Sequence, residues 1–266
     1  IRGAREGFHL GGGKLEDLLM ASLMDPYCGL FMAQTAEKLA VQYEISREEQ
    51  DEFAIVSIQR AMAAQENGLF ADEMFPVEVK RRKDSIQVDT DDHIKPGTTH
   101  EKLARLRPAF GKDGTLTAGN ASGIVDGAAA AVLAAEGASA AAGRSVLGTV
   151  KGWHTVGVDP SVMGIGPAPA INGLLKAQGL SIADVALFEI NEAFAAQYIA
   201  VEKELGLDRD KVNVNGGAIA LGHPLAMTGT RLILTICHEL RRRGGGLGVA
   251  SACIGGGQGI AVLIEV

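Results

Sequence analysis

VALFEINEAFAAQYIAVEKELG, residues 185–206, runs from a short apolar stretch straight into a helical pattern. Val185–Ile190 is nearly unbroken in its apolar character, as a strand covered on both faces should be. From Asn191 the pattern predicts a helix to Leu205, with Gly206 just past its end. A buried strand feeding a helix is the unit of layered α/β domains, and ligands gather where such a strand ends. Asn191 stands at that junction. Its side chain reads two ways, as a helix N-cap or as a group presented to a ligand.

The alternation continues on both sides. Downstream, Val212–Val214 reads as a strand, and Thr228–Arg243 as a helix with Leu232, Ile236 and Leu240 on one stripe. Leu247–Cys253 and Ile260–Ile264 read as strands joined by a glycine-rich link, so the sheet is mixed. Upstream, Ala128–Leu133 and Val146–Trp153 read as strands, Ala138–Ala142 as a small-residue helix, and Ala168–Gln178 as a helix ended by Gly179. Ser181 with Asp184 caps one further turn. Residues 1–120 have another texture. Thr35 is the candidate cap of a helix through about Tyr43, and Ser46 with Glu49 starts a longer one stopped at Asn67-Gly68. Phe75–Val79 and Ile86–Val88 follow as short strand candidates.

Composition narrows the function classes. The 266 residues are 47% hydrophobic and 21% charged, with a net charge of −7, which disfavours a nucleic-acid backbone as partner. The basic clusters Lys80–Lys83 and Arg241–Arg243 are small, and the second reads as the charged last turn of a helix. No apolar run approaches the roughly 20 residues of a membrane span. Three cysteines, Cys28, Cys237 and Cys253, make neither a disulfide framework nor a zinc pattern, so no metal is expected and a reducing compartment is. The first residues, Ile1-Arg2-Gly3-Ala4, show no initiator Met and no targeting pattern, and read as an internal point of a longer chain.

Two further segments carry chemistry. NGGAIALGHP, residues 215–224, sets His223 on a rigid loop between glycine and proline, where backbone can approach a ligand. CIGGGQG, residues 253–259, puts Cys253 at a strand end before a nest of backbone N–H groups, which can lower a thiol pKa or stabilise an oxyanion. Cys253 also reads as a small apolar residue at a hairpin. Cys and His together perform acyl and proton transfer. TAGNASG, residues 117–123, is a small-residue loop able to pack against a long flexible ligand.

NEAF at 191–194, NGGAIALGHP and CIGGGQG resemble, in order, the three signatures of the thiolase family, and TAGNASG resembles its pantetheine-binding loop. The resemblance runs from about Leu10 to the last residue. MGIGP at 163–167 and RRRGG at 241–245 lean towards the 3-ketoacyl-CoA thiolases of fatty-acid oxidation.

The resemblance implies an α/β thiolase fold, layered α-β-α-β-α with mixed sheets and an inserted loop domain. Residues 1–124 would be the substrate-covering loop domain, 125–146 a remnant of an incomplete N-terminal half, and 147–266 the C-terminal half. It implies thiolytic cleavage of 3-ketoacyl-CoA, or the reverse Claisen condensation, with coenzyme A and acyl-CoA as substrates and no other cofactor. His223 would activate a nucleophilic cysteine, Cys253 would move the proton of the acetyl carbanion, and Asn191 and the Gly255 N–H would serve two oxyanion holes. Leu23, Met32, Phe110, Ala118, Ser122 and Phe194 would line the pantetheine tunnel. A homodimer or homotetramer is implied, in the cytoplasm of a bacterium or in the mitochondrial matrix or peroxisome of a eukaryote.

Three departures stand out. The loop carrying the nucleophile would lie upstream of Ile1, so residues 1–266 alone should be inactive; Cys28 reads as a bystander. Phe31 replaces the His of acetoacetyl-specific thiolases and favours an apolar acyl pocket. Ala226 replaces a usual Gly and would crowd the site if its φ were positive. A degenerate thiolase that only assembles or binds partners is the alternative. A ketoacyl synthase fits less well, because Cys253 stands where that type has a second histidine.

Overall fold

A computed structural model describes residues 7, 16–82, 84–111, 113–138 and 143–266. The helices are α1 (Leu18–Ser22), α2 (Met32–Gln42), α3 (Arg47–Glu66), α4 (His100–Ala104), α5 (Pro167–Gln178), α6 (Ala195–Leu205), α7 (Ala218–Leu221) and α8 (Thr228–Arg242). The strands are β1 (Val77–Lys80), β2 (Ser85–Val88), β3 (Thr149–Gly157), β4 (Leu187–Ile190), β5 (Leu247–Ile254) and β6 (Gln258–Glu265). β1 and β2 form an antiparallel ribbon, and the other four make one sheet in the order β3-β6-β5-β4. Only β4 and β5 run parallel, so the sheet is mixed, as the glycine-rich link between the last two strands requires.

Alternation along the strands gives the sheet two apolar faces. Phe188, Ile190, Val249, Ala261 and Leu263 join the larger core, with α2, α3, α5 and α6. Leu187, Ala250 and Ile264 face Leu232, Ile236 and Leu240 of α8 in a second core. Each of the larger side chains here, Leu, Ile, Val or Phe, contributes about 1.5–3 kcal/mol when taken from water. The stripe read from the sequence therefore holds one whole layer in place.

Several boundaries move. Ser46 caps α3 through the Glu49 N–H (3.1 Å), and Gly179 and Gly206 close α5 and α6 in the left-handed region, as expected. Thr35 caps nothing. α2 begins three residues earlier at Met32, and the buried Thr35 hydroxyl donates to the Met32 carbonyl (2.6 Å). The strand beginning at Val146 starts at Thr149 and runs on to Gly157. Ala128–Leu133 forms no strand and pairs with none among the described residues, leaving Val132 and Leu133 exposed. Val212 makes a single bridge to Phe188 instead of a strand. Lys83 and most of the helix expected over Ala138–Ala142 lie outside the described residues. The reading of Arg241–Arg243 as a helix end holds, with Arg242 and Arg243 both paired to Glu239.

Candidate active site

Asn191 begins four residues before α6, not at its start. Residues Asn191–Phe194 stay outside the helix because the segment joins the 117–123 loop: Ala121 bridges Phe194, Ser122 N donates to Ala193 O (3.0 Å) and Ala195 N to Asn120 O (2.9 Å). Capping is thereby excluded for Asn191, and its side chain is released for another task. Its N–H donates to Ser251 O (2.9 Å), one step past the Ile190–Ser251 pair of β4 and β5. Cys253 follows Ser251 by two residues, so both side chains sit at the C-terminal ends of adjacent parallel strands. Ligands collect at that edge in α/β sheets.

His223 arrives from the other side. α7 ends at Gly222, whose φ of +92° is open to glycine and whose added Cβ would strike Val125 at 2.4 Å. The next N–H, of His223, donates to Gly123 O (3.1 Å), which pins the histidine loop to the 117–123 loop. His223 Nε2 then lies 3.3 Å from Asn191 Nδ2, and Nδ1 lies 2.6 Å from Thr228 Oγ1. The Thr228 hydroxyl donates its one proton to Pro224 O (3.1 Å), so it accepts from Nδ1–H. With the hydroxyl proton on Pro224 O, Nδ1 carries the ring proton and the Nε2 lone pair faces the Asn191 amide. Asn191 Oδ1 is buried and accepts no hydrogen bond among the described residues.

Burial sets the protonation states. It pushes the imidazole down to about 4, aided by the charge of Arg231, so His223 is neutral at pH 7. It pushes the Cys253 thiol up to about 12. The backbone-donor setting that could lower this pKa is outweighed by desolvation. Cys253 is a thiol at neutral pH.

A second network, unread in the sequence, shapes the loop before His223. Glu192, 1% exposed, accepts from Ser57 Oγ (2.7 Å), Asn213 Nδ2 (2.8 Å) and the Ile219 N–H (3.2 Å). Ser57 in turn accepts from the Gly217 N–H (3.1 Å). A Cβ on Gly217 would fall 2.1 Å from the Glu192 carboxyl carbon, so the close approach depends on glycine. Glu192 lies within the NEAF signature, yet its partners are 21 to 135 residues away and leave no local mark.

The residues expected along a pantetheine tunnel fall into two groups. Ser122 and Phe194 meet at the loop junction described above, with Ser122 Oγ also donating to Ala193 O (3.0 Å). Leu23 O accepts from Met32 N (2.9 Å), Phe110 packs obliquely on Phe31 with ring centroids 6.2 Å apart, and Met32 Sδ lies 3.7 Å from where a Gly255 Cβ would stand. Ala118, in the same loop as Ser122, lines a cleft of about 270 Å³ whose lining includes Ile58, His93, Lys95 and Lys102. Those two lysines are outside the expected set; Lys95 lies in the loop before α4 and Lys102 in α4 itself, and the fold brings both to Ala118. Gly255 is exposed at the β5–β6 turn. Cys28 sits in a loop closed by Asp25, whose Oδ1 accepts from the Tyr27 and Cys28 N–H groups. Ala226 is exposed and its φ is not positive, so its methyl group crowds nothing. Among the described residues no group of His, Cys, Asp or Glu is arranged to hold a metal ion.

Comparison with known proteins gives the family. The family model for the thiolase N-terminal domain matches residues 2–137, and that for the C-terminal domain matches 144–266. The chain is 55% identical over 266 residues to the mitochondrial 3-ketoacyl-CoA thiolase of Homo sapiens, covering all of this chain and 67% of that protein. A crystal structure of the Bacillus anthracis acetyl-CoA acetyltransferase superposes with a TM-score of 0.96 at 49% identity, over 100% of this chain and 67% of that one. Human mitochondrial 3-ketoacyl-CoA thiolase in complex with CoA gives a TM-score of 0.90 at 54% identity, over 99% and 66%. The chain thus spans about two thirds of these relatives. With the fold, the signatures and both domain models in agreement, the chain belongs to the thiolase family of acyltransferases.

Proposed function

We propose that residues 1–266 carry the proton-transfer and oxyanion half of a thiolase active site acting on acyl-CoA. The observation that carries this reading is the Asn191–His223–Thr228 relay at the strand edge shared with Cys253. In cleavage, a cysteine thiolate attacks the keto carbon of 3-ketoacyl-CoA, the Cα–Cβ bond breaks, and the acyl group stays on sulfur. The departing acetyl-CoA carbanion takes the proton of Cys253, and the thiol of CoA then accepts the acyl group. Condensation reverses each step. A thiol held up to about 12 suits this task, because it matches a weakly acidic C–H more closely than an ordinary cysteine does. His223, neutral and with its Nε2 lone pair exposed to the site, takes the proton of the attacking thiol. As imidazolium it then donates to the thioester oxygen, and Asn191 and the Gly255 N–H serve the oxyanions.

The domain division 1–124, 125–146 and 147–266 belongs to the same reading, with the first part covering the acyl-CoA. Coenzyme A would thread between Ser122, Ala118 and Phe194 on one side and Leu23, Met32 and Phe110 on the other. The Lys95 and Lys102 ammonium groups on the cleft beside Ala118 suit its phosphates. Phe31 against Phe110 favours an apolar acyl chain. The relatives named above are mitochondrial and bacterial, which supports the mitochondrial matrix or the bacterial cytoplasm, and no described helix is long and apolar enough to cross a membrane. A homodimer or homotetramer completes the proposal. Calorimetry with CoA tests the binding path. Ser122→Trp should weaken binding on the order of tenfold or more while the thermal transition stays in place; unchanged affinity would remove Ser122 from the path.

A further inference from the structure

Glu189 is a charged residue in an apolar row. On β4 it follows Leu187 by two residues, on the face whose Leu187 packs against Leu232 and Ile236 of α8, and it is 3% exposed. Its Oε2 accepts from Arg231 Nη1 at 2.9 Å, and the two side chains are 4% and 11% exposed. Burial pushes the Glu189 carboxyl above its usual range, and the guanidinium pulls it back. The second guanidinium nitrogen, Nη2, is buried without a partner among the described residues. Such a pair is a poor source of stability: desolvation offsets much of its attraction, and well-packed apolar residues of similar volume often do as well.

Its position suggests what it is for. Asn191 lies two residues beyond Glu189, so it leaves the strand on the same side. Thr228 lies three residues before Arg231 in α8, so the two share a helix face. The end of β4 and the start of α8 are therefore joined by two polar rungs. One is Glu189–Arg231. The other is Asn191–His223–Thr228, with contacts of 3.3 and 2.6 Å. The same stripe of α8 continues with Thr235, which donates to Glu73 (2.6 Å), and Glu239, which accepts from Asn215 (3.0 Å). Apolar contacts between β4 and α8 fix their distance but tolerate sliding, whereas a directional ion pair fixes their register.

Resting on the reading of His223 as the proton-handling group, we propose that Glu189 and Arg231 are positioning residues whose buried pair holds β4 and α8 in the register that aims His223 Nε2 at Asn191. The test uses the 266-residue chain with ¹⁵N-labelled histidine, the signal of His223 being assigned among the six histidines through His223→Gln. Long-range ¹H–¹⁵N spectra report the tautomer, and thermal denaturation reports stability. The parent should show His223 as a single Nδ1–H tautomer. The double variant Glu189→Leu with Arg231→Met removes both charges while keeping volume, so it should unfold at the parental temperature. In it, His223 should pass from one tautomer to a mixture of both, with its signals broadened. Glu189→Met with Arg231→Leu gives the same reading should the first pairing not fold. A single Nδ1–H tautomer retained in either folded double variant overturns the proposal and leaves the site intact. A parent with Nε2–H overturns the site reading, and this proposal with it.

Discussion

His223 shows how burial sets the chemistry of one residue. Its folded pKa of about 4 lies below the ordinary 6.5, so the unfolded chain binds the proton more tightly. The stability this group contributes is complete above pH 6.5 and is lost as pH falls towards 4. An NMR titration of the His223 ring should find a midpoint near 4, and the fall in stability between pH 6.5 and 4 should be shallower in His223→Gln than in the parent. A midpoint near 6.5 would mean a solvated ring and a different role. At this scale much was legible in the sequence. Glycines and proline around His223, and a cysteine before three glycines, mark positions that local chain chemistry makes special. Thr228 was not legible, because a threonine at a helix start has a sufficient local explanation. The direction of the Cys253 shift was not legible either, since it depends on how deeply the thiol is enclosed. The cap reading of Asn191 fails because the helix starts only at Ala195, after residues 193–195 have paired with residues 120–122, about 70 positions away.

At the scale of elements, periodicity and caps located α3, α5, α8 and the final hairpin to within a few residues. Those segments carry their own start and stop signals and a full apolar stripe. Ala128–Leu133 carries the pattern of a strand but has no partner strand among the described residues, and pattern alone cannot supply one. The loop from Asn215 to Pro224 is governed instead by the buried carboxylate of Glu192. Gly217→Ala tests that dependence. Its φ of −132° suits any residue, so the cost is one of space. The methyl group would displace Glu192 from Ser57, Asn213 and Ile219. Urea denaturation should show a loss of about 1–3 kcal/mol, typical of overpacking. A loss below about 0.5 kcal/mol would show that the loop shifts freely and that Glu192 does not hold it.

For the molecule as a whole, the chain spans about two thirds of the thiolases it resembles, and the chemistry divides accordingly. None of its three cysteines suits the role of acyl carrier. Cys237 is buried, with its thiol pushed up to about 11; Cys28 lies in the loop closed by Asp25; and Cys253, whose thiol is pushed up to about 12, is the residue proposed above to serve the carbanion. Residues 1–266 incubated with acetoacetyl-CoA and CoA should therefore form no acetyl-CoA above the buffer rate. Turnover would reassign the nucleophile to one of these cysteines. Proton removal from the acetyl methyl group needs no acyl carrier, only the base and the groups that stabilise the enolate. The most direct measurement is thus deuterium incorporation into the methyl group of acetyl-CoA in D₂O, followed by mass spectrometry with the parent chain and Cys253→Ser. The parent should exchange above the buffer rate, and Cys253→Ser should lose exchange on the order of 10²-fold. No exchange by a parent chain that binds acetyl-CoA, or equal exchange by both proteins, would contradict the proposed role of Cys253.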